Sequence, residues 1–161
     1  MIYNLYYTIL YLIIILLYYP LLWFVNFDTI KNNIISIILT DEYIIKNNIK
    51  IKYEYRKKRF SKILYKIFIK NKFPNDIYGI RIIYENPMNP NDTDTAYYIQ
   101  KLLKSKYETV DYLYNDYIQN TKSNNYQCLH VYIMYKVLME IQIQNTVMDY
   151  NNKVGKAINY F

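Results

Sequence analysis

Four strings in this chain set acids, cations and aromatic rings close enough together to act on a phosphorylated substrate. Asp76-Ile-Tyr-Gly-Ile-Arg81 sets a carboxylate shortly before a guanidinium. Arg56-Lys-Lys-Arg-Phe-Ser-Lys-Ile-Leu-Tyr-Lys66 is crowded with cations, and Lys58, Lys62, Lys66 and Lys70 recur every four residues. Asp116-Tyr-Ile-Gln-Asn-Thr-Lys-Ser-Asn-Asn-Tyr-Gln-Cys-Leu-His130 holds Lys122, Tyr126 and the only histidine, and Glu140-Ile-Gln-Ile-Gln144 alternates polar with apolar residues. Ammonium groups suit point contacts with phosphate, and planar guanidinium groups suit stacking on a π face. An aromatic ring holds a purine at a cost of few rotatable bonds. A carboxylate within hydrogen-bond reach of a hydroxyl can act as its base. Cys128 and His130 are the sole residues of their types, so no His/Cys cluster can hold zinc. Any metal must therefore be bound by carboxylates, which suits Mg2+. By residue type alone each string also has a structural reading: a carboxylate capping a strand, a solvated lysine face, a core histidine, a polar strand face in water.

Positioning these groups requires a core, and 161 residues of which 53% are hydrophobic can build one. The formal net charge of +7 predicts attraction to polyanions such as nucleotides, RNA or an anionic membrane surface. The 23 tyrosines reflect a narrow amino-acid alphabet and carry little functional weight. One cysteine excludes an internal disulfide and makes a cytosolic setting the default.

The periodicity predicts a helix over 29–46, then a half-buried strand at Ile49-Lys-Ile-Lys-Tyr-Glu-Tyr55. Phe60, Ile63, Leu64, Ile67 and Phe68 form the stripe of a core-facing helix that ends at Phe73-Pro74-Asn75. A buried strand over 78–84, a loop over 86–95 and a helix over 95–106 follow. Strands are expected near 108–118, 129–135 and 137–144, and a closing helix near 146–160. The order predicts an α/β (α+β) fold: a mixed β-sheet of about five strands flanked by helices. On the last strand Glu140, Gln142 and Gln144 should share one face while Ile141 and Ile143 enter the core.

Residues 1–27 carry no charge, and about 20 apolar residues suffice to span a bilayer as a helix. Residues 1–27 are therefore expected to be a membrane anchor, spanning at 5–25, with 28–161 as a cytoplasmic domain. An apolar helix packed on that domain is the other reading.

In order and spacing, the strings resemble the synthetase domain of the RelA/SpoT family, small alarmone synthetase type, over about residues 49–161. That family transfers the β,γ-pyrophosphate of ATP to the 3′-hydroxyl of GDP or GTP, making (p)ppGpp, so the resemblance implies a pyrophosphokinase with the nucleotidyltransferase-like fold of its members. It implies that Asp76 and Glu140 bind Mg2+, with Glu140 orienting or deprotonating the 3′-hydroxyl. It places Arg56 and Arg81 on adenine and Lys58 and Lys66 on the ATP phosphates. On the acceptor side it sets Tyr126 on guanine and Lys122 and His130 near the phosphates, with Gln142 beside them. The only two glycines, Gly79 and Gly155, fall at matching positions.

The chain departs from the family pattern at Lys62 for serine, Asn125 for glycine, Gln144 for arginine, and Lys153 and Asn159 for glutamate and histidine. Asn125 should keep the turn, since asparagine tolerates positive φ. Two other activities fit the same residues: a toxin-like member that pyrophosphorylates adenine nucleotides or tRNA, and a weakened nucleotide- or RNA-binding module. A homo-oligomer is compatible with either. The connection from His130 to Glu140 is short. If the two are direct cross-strand partners, the turn holds an odd number of residues centred on Tyr135; a two-residue turn at Tyr135-Lys136 would put them on opposite faces.

Overall fold

The computed structural model describes Ile13, residues 26–72 and residues 75–155. The expected membrane anchor at residues 1–27 falls almost wholly outside them. Among the described residues no helix is long and apolar enough to cross a membrane.

The expected first helix is two. Helix α1 (Phe27–Leu39) and helix α2 (Glu42–Lys46) are separated because the Asp41 side chain accepts from the Tyr43 and Ile44 amides and starts a new helix. The isoleucine pattern runs through this break, since Ile38 and Ile44 are both buried, and it hides the cap. Strand β1 (Lys50–Lys57), helix α3 (Phe60–Phe68), strand β2 (Tyr78–Glu85) and helix α4 (Asp94–Lys106) follow. The strand expected near 108–118 is instead β3 (Glu108–Thr109), a 3-10 turn (Asp111–Leu113) and β4 (Asn115–Asp116). Strands β5 (Leu129–Tyr135) and β6 (Val137–Asn145) lead into helix α5 (Thr146–Val154). The remainder of the expected closing helix, from residue 156, lies outside the described residues.

The sheet has six strands in the order β1-β2-β6-β5-β3, with β4 also paired to β5. Only β2 and β6 run parallel; the other pairs are antiparallel. One face is apolar. Ile80 and Ile82 of β2, Met139, Ile141 and Ile143 of β6 and Leu129, Val131 and Ile133 of β5 are buried, together with Ile30, Ile34 and Ile38 of α1 and Ala96, Ile99 and Leu103 of α4. Each such isoleucine or leucine contributes about 1.5–3 kcal/mol on burial. The opposite face carries the polar residues: Glu54 and Arg56, Gly79 and Arg81, Glu140 and Gln142, His130 and Tyr132 lie side by side across the register.

The β5–β6 hairpin settles that register. Tyr135 pairs with Val137, and Lys136 alone sits at the apex with φ 58°. The odd turn is as expected, but its centre is Lys136 rather than Tyr135. His130 therefore pairs with Gln142, and Tyr132 with Glu140. His130 and Glu140 share the face as diagonal neighbours, close enough for long side chains to meet.

Candidate active site

A cleft of about 530 Å³ opens over the polar face. Its floor is Asn115 of β4, His130 and Tyr132 of β5 and Glu140 and Gln142 of β6; Tyr117 lines it from the loop after β4. Its wall is α3, whose Ile63 and Ile67 are buried while Lys62, Tyr65 and Lys66 face the cleft, with Lys70 just beyond. The amphipathic period thus divides α3 between core and cation wall. A second cavity of about 230 Å³, bounded by Glu54, Tyr55, Gly79, Ile80 and Arg81, shares Arg56, Glu140 and Gln142 with the first. Gly79 pairs with Arg56 on one side and Glu140 on the other. A side chain there would begin 3.4 Å from the Glu140 carbonyl oxygen and 3.9 Å from Glu140 Oε2. The missing Cβ keeps the strip beside that carboxylate open.

Both predicted carboxylates line the large cleft. Asp76, just before β2, accepts from Lys58 Nζ at 2.5 Å and Lys66 Nζ at 3.0 Å, with Arg56 at 3.7 Å. Burial works against its charge, but the hydrogen bonds of Lys58 and Lys66 prevail and hold its carboxyl below the usual range. Glu140 is 6% exposed. Its Oε1 lies 2.9 Å from His130 Nδ1 and accepts from the Tyr132 hydroxyl at 2.8 Å, and its Oε2 accepts from Gln142 at 3.0 Å. Burial raises its carboxyl, the bonds from His130 and Tyr132 lower it, and the Asp76 charge raises it; the net direction is down. Two depressed carboxyls contribute stability above the ordinary carboxylate range and lose it as pH falls through their lower folded values. Thermal unfolding should show a stable plateau at neutral pH and a Tm that drops below about pH 4.

The remaining residues fall into three groups. Arg81 donates to Gln142 at 3.3 Å and to Glu54 at 3.3 Å, in the smaller cavity. Glu54 also accepts from Lys153, which bridges to Asp149, and Asp149 accepts from Gln144. Gln144 and Lys153, two departures from the family pattern, are thus part of one hydrogen-bonded network. Lys122 sits 4.0 Å over the Tyr117 ring and 5.5 Å from Tyr126. Asn125 has φ 63°, the left-handed turn expected of it.

Tyr126 and His130 differ from expectation. The Tyr126 ring is 0% exposed, packed edge-on against Tyr117 and His130, so it presents no face to the cleft. Its hydroxyl is 2.9 Å from His130 Nε2. With Nδ1 on Glu140, both nitrogens of His130 are engaged within the protein rather than directed at a ligand. Sequence reasoning also passed over Tyr117, Tyr132 and Glu54. Tyr132 and Glu54 were within reach, two residues from His130 and Arg56 on their strands; Tyr117 carried no local signal.

The donor set suits a hard cation: two carboxylates border one cleft, and Mg2+ is commonly held by one or two carboxylates plus substrate phosphates. Among the described residues no group of three or more His, Cys, Asp or Glu is placed to hold a metal by itself.

Residues 43–160 match the family model described as a region found in RelA / SpoT proteins. The chain belongs to the RelA/SpoT family. Among curated relatives, an ankyrin repeat protein of Rickettsia felis is 32% identical over 117 residues, covering 70% of this chain. The bifunctional (p)ppGpp synthase/hydrolase SpoT of Escherichia coli is 33% identical over 87 residues, covering 53%. The chain spans only 9% and 12% of the length of these two relatives. The family fold is matched by small alarmone synthetase 1 of Bacillus subtilis bound to its product pppGpp, with TM-score 0.66, 24% identity, and coverage of 83% of this chain and 73% of that one. Small alarmone synthetase 2 of the same organism matches with TM-score 0.60 and 26% identity over 83% and 74%.

Proposed function

We propose that the cleft transfers the β,γ-pyrophosphate of ATP to the 3′-hydroxyl of GDP or GTP. One observation carries this reading: a buried, ionised Glu140 and a lysine-clamped Asp76 border the same cavity, whose wall holds more cations than the two carboxylates neutralise. Arg56, Lys58, Lys62, Lys66 and Lys70 suit a polyphosphate, and the smaller cavity at Arg81 and Arg56 suits a purine stacked on guanidinium. The structural relative that carries pppGpp supports the same acceptor class.

In the reaction the 3′-oxygen bonds to the β-phosphorus of ATP, the bond from that phosphorus to the α–β bridging oxygen breaks, and AMP leaves. Glu140 takes the hydroxyl proton. Lys58 and Lys66 move their charge from Asp76 to the phosphates, which frees Asp76. Mg2+, held by Asp76 and Glu140, would neutralise the triphosphate. Tyr117 is the loop ring on the cleft, so it is assigned to the acceptor base in place of Tyr126, with Lys122 over one of its faces and the other left for the base.

The full chain incubated with ATP, Mg2+ and separate acceptors (GDP, GTP, AMP, tRNA) should pyrophosphorylate a guanine nucleotide first. Product on tRNA or AMP alone would favour the toxin-like alternative, and binding without product the weakened module. Tyr117→Ala should weaken acceptor binding about 5- to 100-fold in titration calorimetry, the range for loss of one base-stacking ring. Tyr117→Phe should restore it.

A further inference from the structure

Glu140 accepts from three side chains, and one of them is itself held from behind. His130 is 4% exposed, and its ring meets the edges or faces of Tyr117 and Tyr126 at 5.1 and 5.8 Å between centroids. An ionised carboxylate can only accept, so Nδ1 carries a proton at the Glu140 contact. In a neutral ring Nε2 is then an acceptor, and the Tyr126 hydroxyl must be the donor.

We propose that Tyr126 and His130 form a positioning pair for Glu140: the Tyr126 hydroxyl selects the Nδ1–H tautomer of His130, and Nδ1–H fixes Oε1 so that Oε2 faces the acceptor hydroxyl. This rests on the reading of Glu140 as the base of the transfer. Oε1 is pinned by both His130 and Tyr132, whereas Oε2 accepts from Gln142 and borders the open strip over Gly79. The two oxygens therefore have different tasks. Oε1 is the anchored atom and Oε2 the one with room for a substrate. Outer partners that lock a reacting group in this way are commonly worth about 10- to 100-fold in activity.

His130 is the only histidine, so a single imidazole contributes to the 15N spectrum of the labelled full chain. That spectrum should show the Nδ1–H tautomer; an Nε2–H tautomer overturns the proposal, whatever the catalytic outcome. Two substitutions then separate positioning from phosphate binding. Asparagine places its amide nitrogen where Nδ1 lies, and glutamine reaches instead toward the place of Nε2. His130→Asn should retain about tenfold more turnover than His130→Gln, and Tyr126→Phe should lower turnover about tenfold, while all three bind GDP within about twofold of the parent in calorimetry. A GDP affinity that falls about tenfold in both His130 variants, with turnover at saturation kept, would return His130 to the phosphates and sink the pair. If the unaltered chain transfers nothing to any acceptor, the functional reading fails by itself, and the tautomer still decides whether Tyr126 and His130 hold Glu140.

Discussion

Glu140→Gln should lower pyrophosphate transfer by about 10²- to 10⁴-fold, the range lost when a positioned general base is removed. The amide keeps the shape of the side chain but cannot take a proton from the 3′-hydroxyl. The cations that would hold the phosphates lie on and around β1 and α3, away from Glu140, so ATP affinity measured by calorimetry without Mg2+ should change little. The substitution also sets an amide NH2 against donors, because His130, Tyr132 and Gln142 all donate to the carboxylate. Gln142 cannot relieve this by turning its amide, because its Oε1 already accepts from Arg81, so one buried donor is left unmatched at a cost of about 1–3 kcal/mol. Turnover within tenfold of the parent would remove Glu140 from the role of base.

Asp76→Asn should reduce turnover about 10²- to 10³-fold, the effect of losing one preorganised electrostatic group, and should also leave a mark on stability. Asp76 is the common counter-ion of Arg56, Lys58 and Lys66. Lys58 is mostly buried, and burial already presses its ammonium downward against the pull of Asp76. Removing the carboxylate leaves these cations facing one another, at a cost of about 1–3 kcal/mol; the open cleft keeps the loss below that of a fully buried pair. Tripolyphosphate should then raise the Tm of the variant more than that of the parent, because an anion that binds only the folded state replaces the lost charge. The variant should also lose part of the acid-side drop in Tm, since one of the two depressed carboxyls is gone. Equal stabilisation of both proteins by tripolyphosphate would show that Asp76 does not hold the phosphate-binding lysines.

Much of the site could be read along the chain, for reasons of period. Alternation over Glu140–Gln144 put Glu140 and Gln142 on one face and Ile141 and Ile143 in the core, and both isoleucines are fully buried. The four-residue repeat of lysines, set against Ile63 and Ile67, specified a helix with one apolar and one cationic side, as α3 has. Asparagine at position 125 marked the left-handed turn that its φ of 63° confirms.

Other features had no local signal. The centre of the β5–β6 hairpin is one residue later than expected because Lys136, a residue with no preference for positive φ, takes the left-handed position. That step moved the partner of Glu140 from His130 to Tyr132. The strand expected near 108–118 became two short pieces, each paired with β5 over two residues, separated by a 3-10 turn at Asp111–Leu113.

The family, the two-faced sheet and the carboxylates and cations that line the cleft were all legible along the chain, because side-chain period and residue chemistry are local properties. Long-range packing set the rest: Lys58 and Lys66 clamp Asp76, Tyr117 rather than Tyr126 faces the cleft, and His130 bonds to Glu140. Which polar groups meet depends on hairpin register and on how a loop packs its rings, and both are set by contacts between segments distant along the chain.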